Sequence, residues 1–146
     1  MVGMIPVRMA SARFPGKPLA RIHGVTMLEH VYRRSKLCAM LDEVIVTTCD
    51  EEIRQAAEAF GAPVIMTSNR HERAAERVAE AAARSEADVV VLIQGDEPML
   101  DPEMLEELVA PLRADPSILC TNLMVMVDEA DARDPDQVKV VCDASG

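Results

Sequence analysis

The chain has 146 residues and a formal net charge of -10, with 49% hydrophobic but only 2% aromatic residues. This length fits one domain with a substantial core. The composition predicts a core of aliphatic side chains and methionine, which suits an α/β fold. The negative charge argues against a general binder of nucleic acid or anionic membranes, because both surfaces would repel it. Four scattered cysteines, and the absence of a signal-peptide pattern or a long apolar run, favour free thiols in a cytoplasmic protein.

The predicted elements alternate between strands and helices along the chain. Strands are predicted at 2–7, 43–48, 63–66, 88–94, 118–127 and 138–142, and helices at 26–36, 50–60, 73–84 and 101–114. Thr26, Asp50 and Asp101 are predicted to cap helices, and Gly61 to end one. This order predicts βαβ units and a mostly parallel sheet with helices on both faces.

The last part of the chain predicts less regular structure. The acidic stretch 128–136 is interpreted as a surface connection, and 143–146 as the turn of a hairpin. Because no return strand follows that turn, we expect the chain to be incomplete at its C-terminus.

A loop rich in cations follows the first predicted strand. Arg8, Arg13 and Lys17 lie in it together with the hydroxyl of Ser11. Two prolines stiffen the loop, while Gly16 allows a sharp turn or a close approach to a ligand. Cations spaced along such a loop suit a polyanionic ligand, although a solvated basic loop is the alternative.

A second polar group follows the strand predicted at 88–94. This strand lacks polar alternation, so it is predicted to be buried on both faces. Asp96 follows this strand, and an uncompensated carboxylate there costs free energy. Mg²⁺ bridging Asp96 to phosphate oxygens would offset this cost. The alternative is that Asp96 caps a turn or pairs with an arginine. Gln94 can read a sugar hydroxyl or a base edge, or be a satisfied strand-end amide.

A third group is basic and follows the strand predicted at 63–66. It contains Arg70, His71, Arg73 and Arg77. His71 can contact a ligand or be an ordinary surface residue, and Arg77 can reach phosphate or pair with Glu76 or Glu80. Ligands of open α/β sheets bind outside the carboxyl ends of the strands. Polyphosphate with a metal is the one coherent chemistry, and it indicates phosphoryl or nucleotidyl transfer by positioning and charge neutralisation.

Three segments make this interpretation specific. They read Ile5-Pro6-x-Arg8-x-x-Ser11-x-Arg13-x-Pro15-Gly16-Lys17-Pro18-Leu19, Gln94-Gly95-Asp96-Glu97-Pro98 and Val138-Lys139-Val140-Val141. Together they resemble the 3-deoxy-manno-octulosonate (Kdo) cytidylyltransferase family. The resemblance implies a Rossmann-like nucleotide-diphospho-sugar transferase fold. It also implies that residues 1–146 are the nucleotide-binding part of a single α/β nucleotidyltransferase domain, which in the family continues into a second metal-binding aspartate, much of the sugar site and homodimer contacts.

The resemblance further implies a reaction of CTP with Kdo that gives CMP-Kdo and pyrophosphate, for lipopolysaccharide synthesis in the cytoplasm. Its implied catalytic residues are Arg13, Lys17 and Asp96, and Asp96 would hold Mg²⁺ as the cofactor. The implied nucleotide-binding residues are Arg8, Ala10, Ser11, Arg13, Lys17, Thr67, His71, Arg77 and Gln94.

One segment departs from the family pattern Thr-Arg-x-x-His-x-Ser-Gly-Thr-(Asp/Glu)-Arg. Here Ser68 replaces the arginine, and Arg73-Ala74-Ala75 replaces Ser-Gly-Thr. In the family these residues lie around the cytidine. Two alternatives therefore stay open: a related cytidylyltransferase using another acidic sugar or a phosphonate, and a catalytically inactive nucleotide-binding module.

Overall fold

Four parallel strands form the sheet of this protein, for which a computed structural model describes residues 1–10 and 14–141. The strands of the chain are β1 (Val2–Pro6), β2 (Arg21–Ile22), β3 (Val25–Thr26), β4 (Glu43–Thr48), β5 (Val64–Met66) and β6 (Val90–Leu92). The sheet has the order β5-β4-β1-β6, while β2 and β3 form a separate antiparallel pair. The parallel sheet predicted from the alternation of elements is therefore confirmed.

Helices cover both faces of this sheet. They are α1 (Met27–Ser35), α2 (Glu51–Ala59), α3 (Ala74–Ala82) and α4 (Pro102–Ala114). A fifth helix, α5 (Glu129–Arg133), has no buried residue and does not contribute to either core. Ile5 and Val46 point to the face covered by α1, α2 and α4, whereas Met4 and Ile45 point to the face covered by α3. Consecutive strand residues alternate between faces, so aliphatic runs can fill both cores at once.

Two of the predicted helix caps are confirmed. The Thr26 hydroxyl accepts a hydrogen bond from the Glu29 N–H at 3.2 Å, and Asp101 accepts one from the Glu103 N–H at 3.2 Å. Gly61 follows α2 with φ 83°, the left-handed conformation expected of a glycine that ends a helix. Asp50 precedes α2 as predicted, but its carboxylate accepts no hydrogen bond from the first turn of the helix.

The predicted strand at 118–127 is wrong. This segment forms no strand in the described chain, and Leu119 and Met126 are 95% and 94% exposed. A strand exists only where neighbouring backbone groups satisfy its own, so β-propensity alone did not suffice. Consequently β6 lies at the edge of the sheet. The prediction of burial on both faces also fails there, since Val90 and Leu92 are only half-buried.

The other C-terminal predictions have mixed outcomes. Residues 138–141 form no strand, and Val138 is 95% exposed, because nothing in the described chain pairs with them. The surface connection predicted at 128–136 is exposed but contains α5, which Asp128 caps by accepting from the N–H groups of Ala130 and Asp131. Cys142 and the turn predicted at 143–146 lie outside the described residues.

Two further expectations concern the cysteines and the helices. Cys38, Cys49 and Cys120 are free thiols, as predicted for the cysteines that the structure describes. Among the described helices, none has the length and apolar character needed to span a bilayer.

Gly95 lies where the loop after β6 packs against the end of β1. A Cβ there would come 2.3 Å from Val7 Cγ1 and 3.3 Å from the Pro6 carbonyl oxygen. We expect Gly95→Ala to lower the free energy of unfolding by roughly 1–3 kcal/mol, as overpacking does. Urea denaturation measures this loss.

A double-mutant cycle serves as the control for this prediction. Val7→Ala removes the Cγ1 atom that a Cβ at position 95 would meet. The double variant should therefore be more stable than the sum of the two single losses predicts. If Gly95→Ala unfolds at the same urea concentration as the wild type, the loop after β6 is not tightly packed against the end of β1.

Candidate active site

The loops after β1 and β6 meet at the carboxyl edge of the sheet. Lys17 Nζ donates to Asp96 Oδ2 at 2.6 Å, across 79 residues of sequence. The two side chains are 33% and 50% exposed, so the pair is open to solvent. Adjacent parallel strands end at the same edge, which brings these two residues together. Asp96 is thus paired with a lysine, rather than with the arginine that the sequence allowed.

The conformation of the first loop places Lys17. Gly16 has φ 74°, a left-handed conformation that suits glycine, and its N–H donates to the Met9 carbonyl at 3.0 Å. Lys17 then begins a single 3-10 turn through Leu19. Ala10 is exposed in this loop. Ser11 and Arg13, the other predicted ligands here, lie outside the described residues.

The first loop also contacts the segment after β5. Arg8 is exposed, and its Nη1 donates to the His71 carbonyl at 3.4 Å. The three groups predicted from the sequence are therefore connected: Arg8 reaches the third group, and Lys17 reaches the second. The cations of the first loop are therefore in contact with both of the other groups at this end of the sheet.

Arg77 is buried beneath this edge. Its side chain is 3% exposed, and its guanidinium donates to the Thr67 hydroxyl, to the Ser68 carbonyl at 3.4 Å and to Cys49 Sγ at 3.5 Å. The alternative that Arg77 pairs with Glu76 or Glu80 is wrong for the described residues, where Arg77 has no carboxylate within ion-pair distance. Arg77 instead fixes the segment after β5 against the end of β4.

Glu80 organises the same segment from α3. Its carboxylate accepts from the Ser68 N–H at 2.9 Å, from His71 Nε2 and from Arg84. The pKa of the Glu80 carboxyl lies below its usual value, first because the Ser68 N–H donates to it and then because His71 does. His71 is consequently a fixed, half-buried side chain. Sequence reasoning considered Glu80 only as a partner of Arg77 and missed its contacts with Ser68 and His71.

We expect Glu80→Gln to destabilise the protein at neutral pH and much less in acid. An acid whose pKa is depressed on folding contributes stability above its unfolded pKa and loses it as the pH falls through the folded value. Urea unfolding of both proteins between pH 7 and pH 3 measures this. Their difference should shrink below about pH 4.3, the ordinary glutamate range. A difference independent of pH would contradict the role of the charge.

Gln94 is exposed and lines a groove next to the loop that carries Asp96. This groove has a volume of about 950 Å³ and lies between β6, α4 and the segment 116–123. Its walls are mainly aliphatic, with Gln94 and Glu97 as polar lining residues near the Lys17–Asp96 pair. Gln94 is therefore placed to read a polar group, and its hydrogen-bonding capacity is open to solvent.

Asp96 is the candidate metal ligand. In the part of the chain that the structure describes, no group of three His, Cys, Asp or Glu side chains converges on a metal position. Mg²⁺ is commonly held by one or two carboxylates together with substrate phosphates. A half-exposed carboxylate at a cationic loop fits an ion that arrives with a polyphosphate.

Known proteins resemble the chain over its full length. The model of the family described as Cytidylyltransferase matches residues 2–146. A 3-deoxy-manno-octulosonate cytidylyltransferase of Geobacter metallireducens is 47% identical over 147 residues, covering 100% of this chain and 58% of that protein. The protein of the same name from Nitratidesulfovibrio vulgaris strain DP4 is 50% identical and covers 99% and 58%, respectively.

A solved structure agrees with these sequence matches. The structure of a CMP:2-keto-3-deoxy-manno-octonic acid synthetase complexed with CTP superposes with a TM-score of 0.78 at 44% identity, covering 80% of this chain and 48% of that one. The resemblance predicted from the three motifs is confirmed. The chain spans 58% of the length of the two curated relatives.

Proposed function

We propose that the protein, whose chain belongs to the cytidylyltransferase family, transfers the cytidylyl group of CTP to Kdo with release of pyrophosphate. The observation that carries this proposal is the contact between Lys17 and Asp96 at the carboxyl edge of the sheet. The relatives named Kdo cytidylyltransferases support the choice of acceptor. The proposal extends to a cytoplasmic enzyme of lipopolysaccharide synthesis that works as a homodimer.

The first loop is proposed to hold the triphosphate. Arg8 and Lys17 extend from it at the carboxyl edge of the sheet, and Ser11 and Arg13 belong to the same loop in sequence. An ammonium group has three N–H donors. Lys17 can therefore keep one hydrogen bond to Asp96 while it donates two to phosphate oxygens, so the carboxylate fixes the direction of the cation.

The chemical step is a displacement at the α-phosphorus of CTP. The anomeric hydroxyl oxygen of the sugar forms a bond to this phosphorus and releases its proton to solvent water. The bond from the α-phosphorus to the oxygen bridging to the β-phosphate breaks, and pyrophosphate leaves with the electron pair. Lys17 and Arg13 neutralise the charge that develops on the leaving group, which is where preorganised cations lower a barrier. Mg²⁺, held by Asp96, supplies further positive charge to the phosphate oxygens when bound.

The segment after β5 is proposed to border the cytidine. Thr67 and His71 belong to it, and buried Arg77 supports it from α3. Gln94 follows β6 at the same carboxyl edge of the sheet. The hydrogen bonds of Glu80 and Arg77 hold this segment in one conformation. The substitutions at Ser68 and at 73–75 change the surface that would face the base or the acceptor.

Pyrophosphate release tests the proposal. The full-length protein is incubated with Mg²⁺, CTP and a panel of acceptors: Kdo, other acidic sugars and phosphonates. CTP-dependent release with Kdo is expected, with UTP and ATP as control nucleotides. Turnover of phosphonates but not of Kdo would reject the proposed acceptor and favour the alternative suggested by Ser68 and Arg73-Ala74-Ala75.

The inactive alternative needs a separate measurement. Calorimetric titration of the full-length protein with CTP and Mg²⁺ is expected to show binding. Binding without turnover of any acceptor would favour a nucleotide-binding module. An absence of binding would reject the nucleotide assignment altogether.

A further inference from the structure

Asp50 lies between β4 and α2, where the sequence predicts a helix cap. Its Oδ2 instead accepts a hydrogen bond from the Met9 N–H at 2.7 Å, across 41 residues of sequence. The same oxygen lies 3.7 Å from Cys49 Sγ. Both Asp50 and Met9 are half-buried. The carboxylate of Asp50, which follows β4, therefore binds the loop that follows β1.

This contact continues the pairing of β1 with β4 by one further step. The last main-chain bond between the two strand ends runs from the Val7 N–H to the Thr47 carbonyl at 3.0 Å. Two residues later, the Met9 N–H meets the Asp50 side chain rather than another carbonyl. Asp50 thus binds the chain at the point where it leaves the sheet and enters the loop.

Met9 in turn closes the loop. Its carbonyl accepts from the Gly16 N–H at 3.0 Å, directly before Lys17. The Met9 N–H therefore donates to Asp50, while the Met9 carbonyl accepts from Gly16 at the far end of the loop. Release of Met9 from Asp50 would weaken the attachment of both ends of this segment, leaving Arg8 and Lys17 with their contacts to His71 and Asp96.

We propose that Asp50 is a positioning residue that holds Arg8 and Lys17, at the two described ends of the loop after β1, in positions that receive phosphate, an inference that rests on the proposed function. Asp50 acts through the Met9 backbone and not on the nucleotide. A charged acceptor makes a stronger hydrogen bond to an N–H than a neutral one does. The N-terminus of α2 makes a negative charge tolerable beside a site for phosphates.

The role of Asp50 predicts a particular kinetic signature. If only a fraction of the free protein has the loop in place, the apparent affinity for the ligand falls by that fraction. Once CTP is bound, its phosphates hold the loop, so the chemical step proceeds as before. Loss of the Asp50 contact should therefore raise KM for CTP and leave kcat nearly unchanged.

Three variants of the full-length protein test this signature. Asp50→Ala should raise KM for CTP roughly tenfold to a hundredfold, the range expected for a lost hydrogen bond to a charged group, with kcat within about threefold. Asp50→Asn keeps an accepting oxygen and should recover most of the affinity. Glu52→Ala removes the same charge from the first turn of α2, where Glu52 is exposed, and should match the wild type.

A second readout does not depend on activity. Trypsin cleaves after arginine, and the loop contains the bonds Arg8–Met9 and Arg13–Phe14. In Asp50→Ala these two bonds should be cut at least several-fold faster than in the wild type, while cleavage after Arg33 and Arg34 in α1 stays unchanged. Asp50→Asn and Glu52→Ala should be cut at the wild-type rate.

The outcomes separate the two proposals. Faster cleavage confined to the loop, in a protein that does not use CTP, would support the role of Asp50 and reject the proposed function. Unchanged cleavage and unchanged KM in Asp50→Ala would overturn the role of Asp50. A fall in kcat at constant KM would also overturn it, because a residue acting only on the free loop cannot produce that result.

Discussion

Replacing Lys17 with alanine should lower kcat roughly 100- to 1000-fold, the effect typical of losing one preorganised donor to a developing negative charge. In the proposed reaction the charge on the leaving pyrophosphate grows in the transition state, and the contact with Asp96 would direct the Lys17 ammonium toward that charge. Steady-state pyrophosphate release at saturating CTP measures the loss. Thermal unfolding should show an intact fold, because the pair is exposed and surface ion pairs contribute little stability.

Lys36→Ala is the matched control for this experiment. It removes the same charge from an exposed lysine at the end of α1. Lys36→Ala should keep the wild-type kcat. A Lys17→Ala enzyme within twofold of the wild type would remove Lys17 from the mechanism.

The Asp96→Asn substitution should cause a second large loss, again roughly 100- to 1000-fold in kcat at fixed Mg²⁺. Asparagine has nearly the same shape but lacks the charge that pairs with Lys17 and would attract the proposed metal. Raising the Mg²⁺ concentration should recover part of the activity if the variant binds the ion more weakly. Initial rates across a Mg²⁺ titration measure both effects.

Glu97→Gln provides the control for Asp96, since it neutralises the adjacent exposed carboxylate of the same loop. This variant should stay within threefold of the wild type. The double variant Lys17→Ala/Asp96→Asn should lose less than the product of the two single losses, because the side chains contact each other. Fully multiplicative losses would show that the two residues act independently.

The fold was predictable where local and long-range preferences agree. The run Glu43–Thr48 is β-branched and became β4 with the predicted bounds. Thr26 caps α1 because capping involves only neighbouring residues. The segment 118–127 is also mostly apolar, yet a strand requires a neighbouring strand as well, and this segment joins no sheet in the described chain. Its sequence could not reveal that difference.

The candidate site was predictable in part for a similar reason. Lys17 and Asp96 meet because each follows a strand of a parallel sheet, which is a consequence of topology. The contact of Asp50 with the Met9 N–H could not be predicted, because its residue type and its position before α2 are those of an ordinary helix cap. The burial of Arg77 was hidden too, since a sequence shows that an arginine is present but not which hydroxyls, carbonyls and sulfur atoms surround it.

A crystal structure of the full-length protein with CTP and Mg²⁺ tests the central claim most directly. Lys17 Nζ should lie about 3 Å from a phosphate oxygen, and an Asp96 carboxylate oxygen about 2.0–2.1 Å from the metal. Both contacts should involve the same nucleotide. A triphosphate bound elsewhere, with the Lys17–Asp96 pair left untouched, would contradict this account of the site.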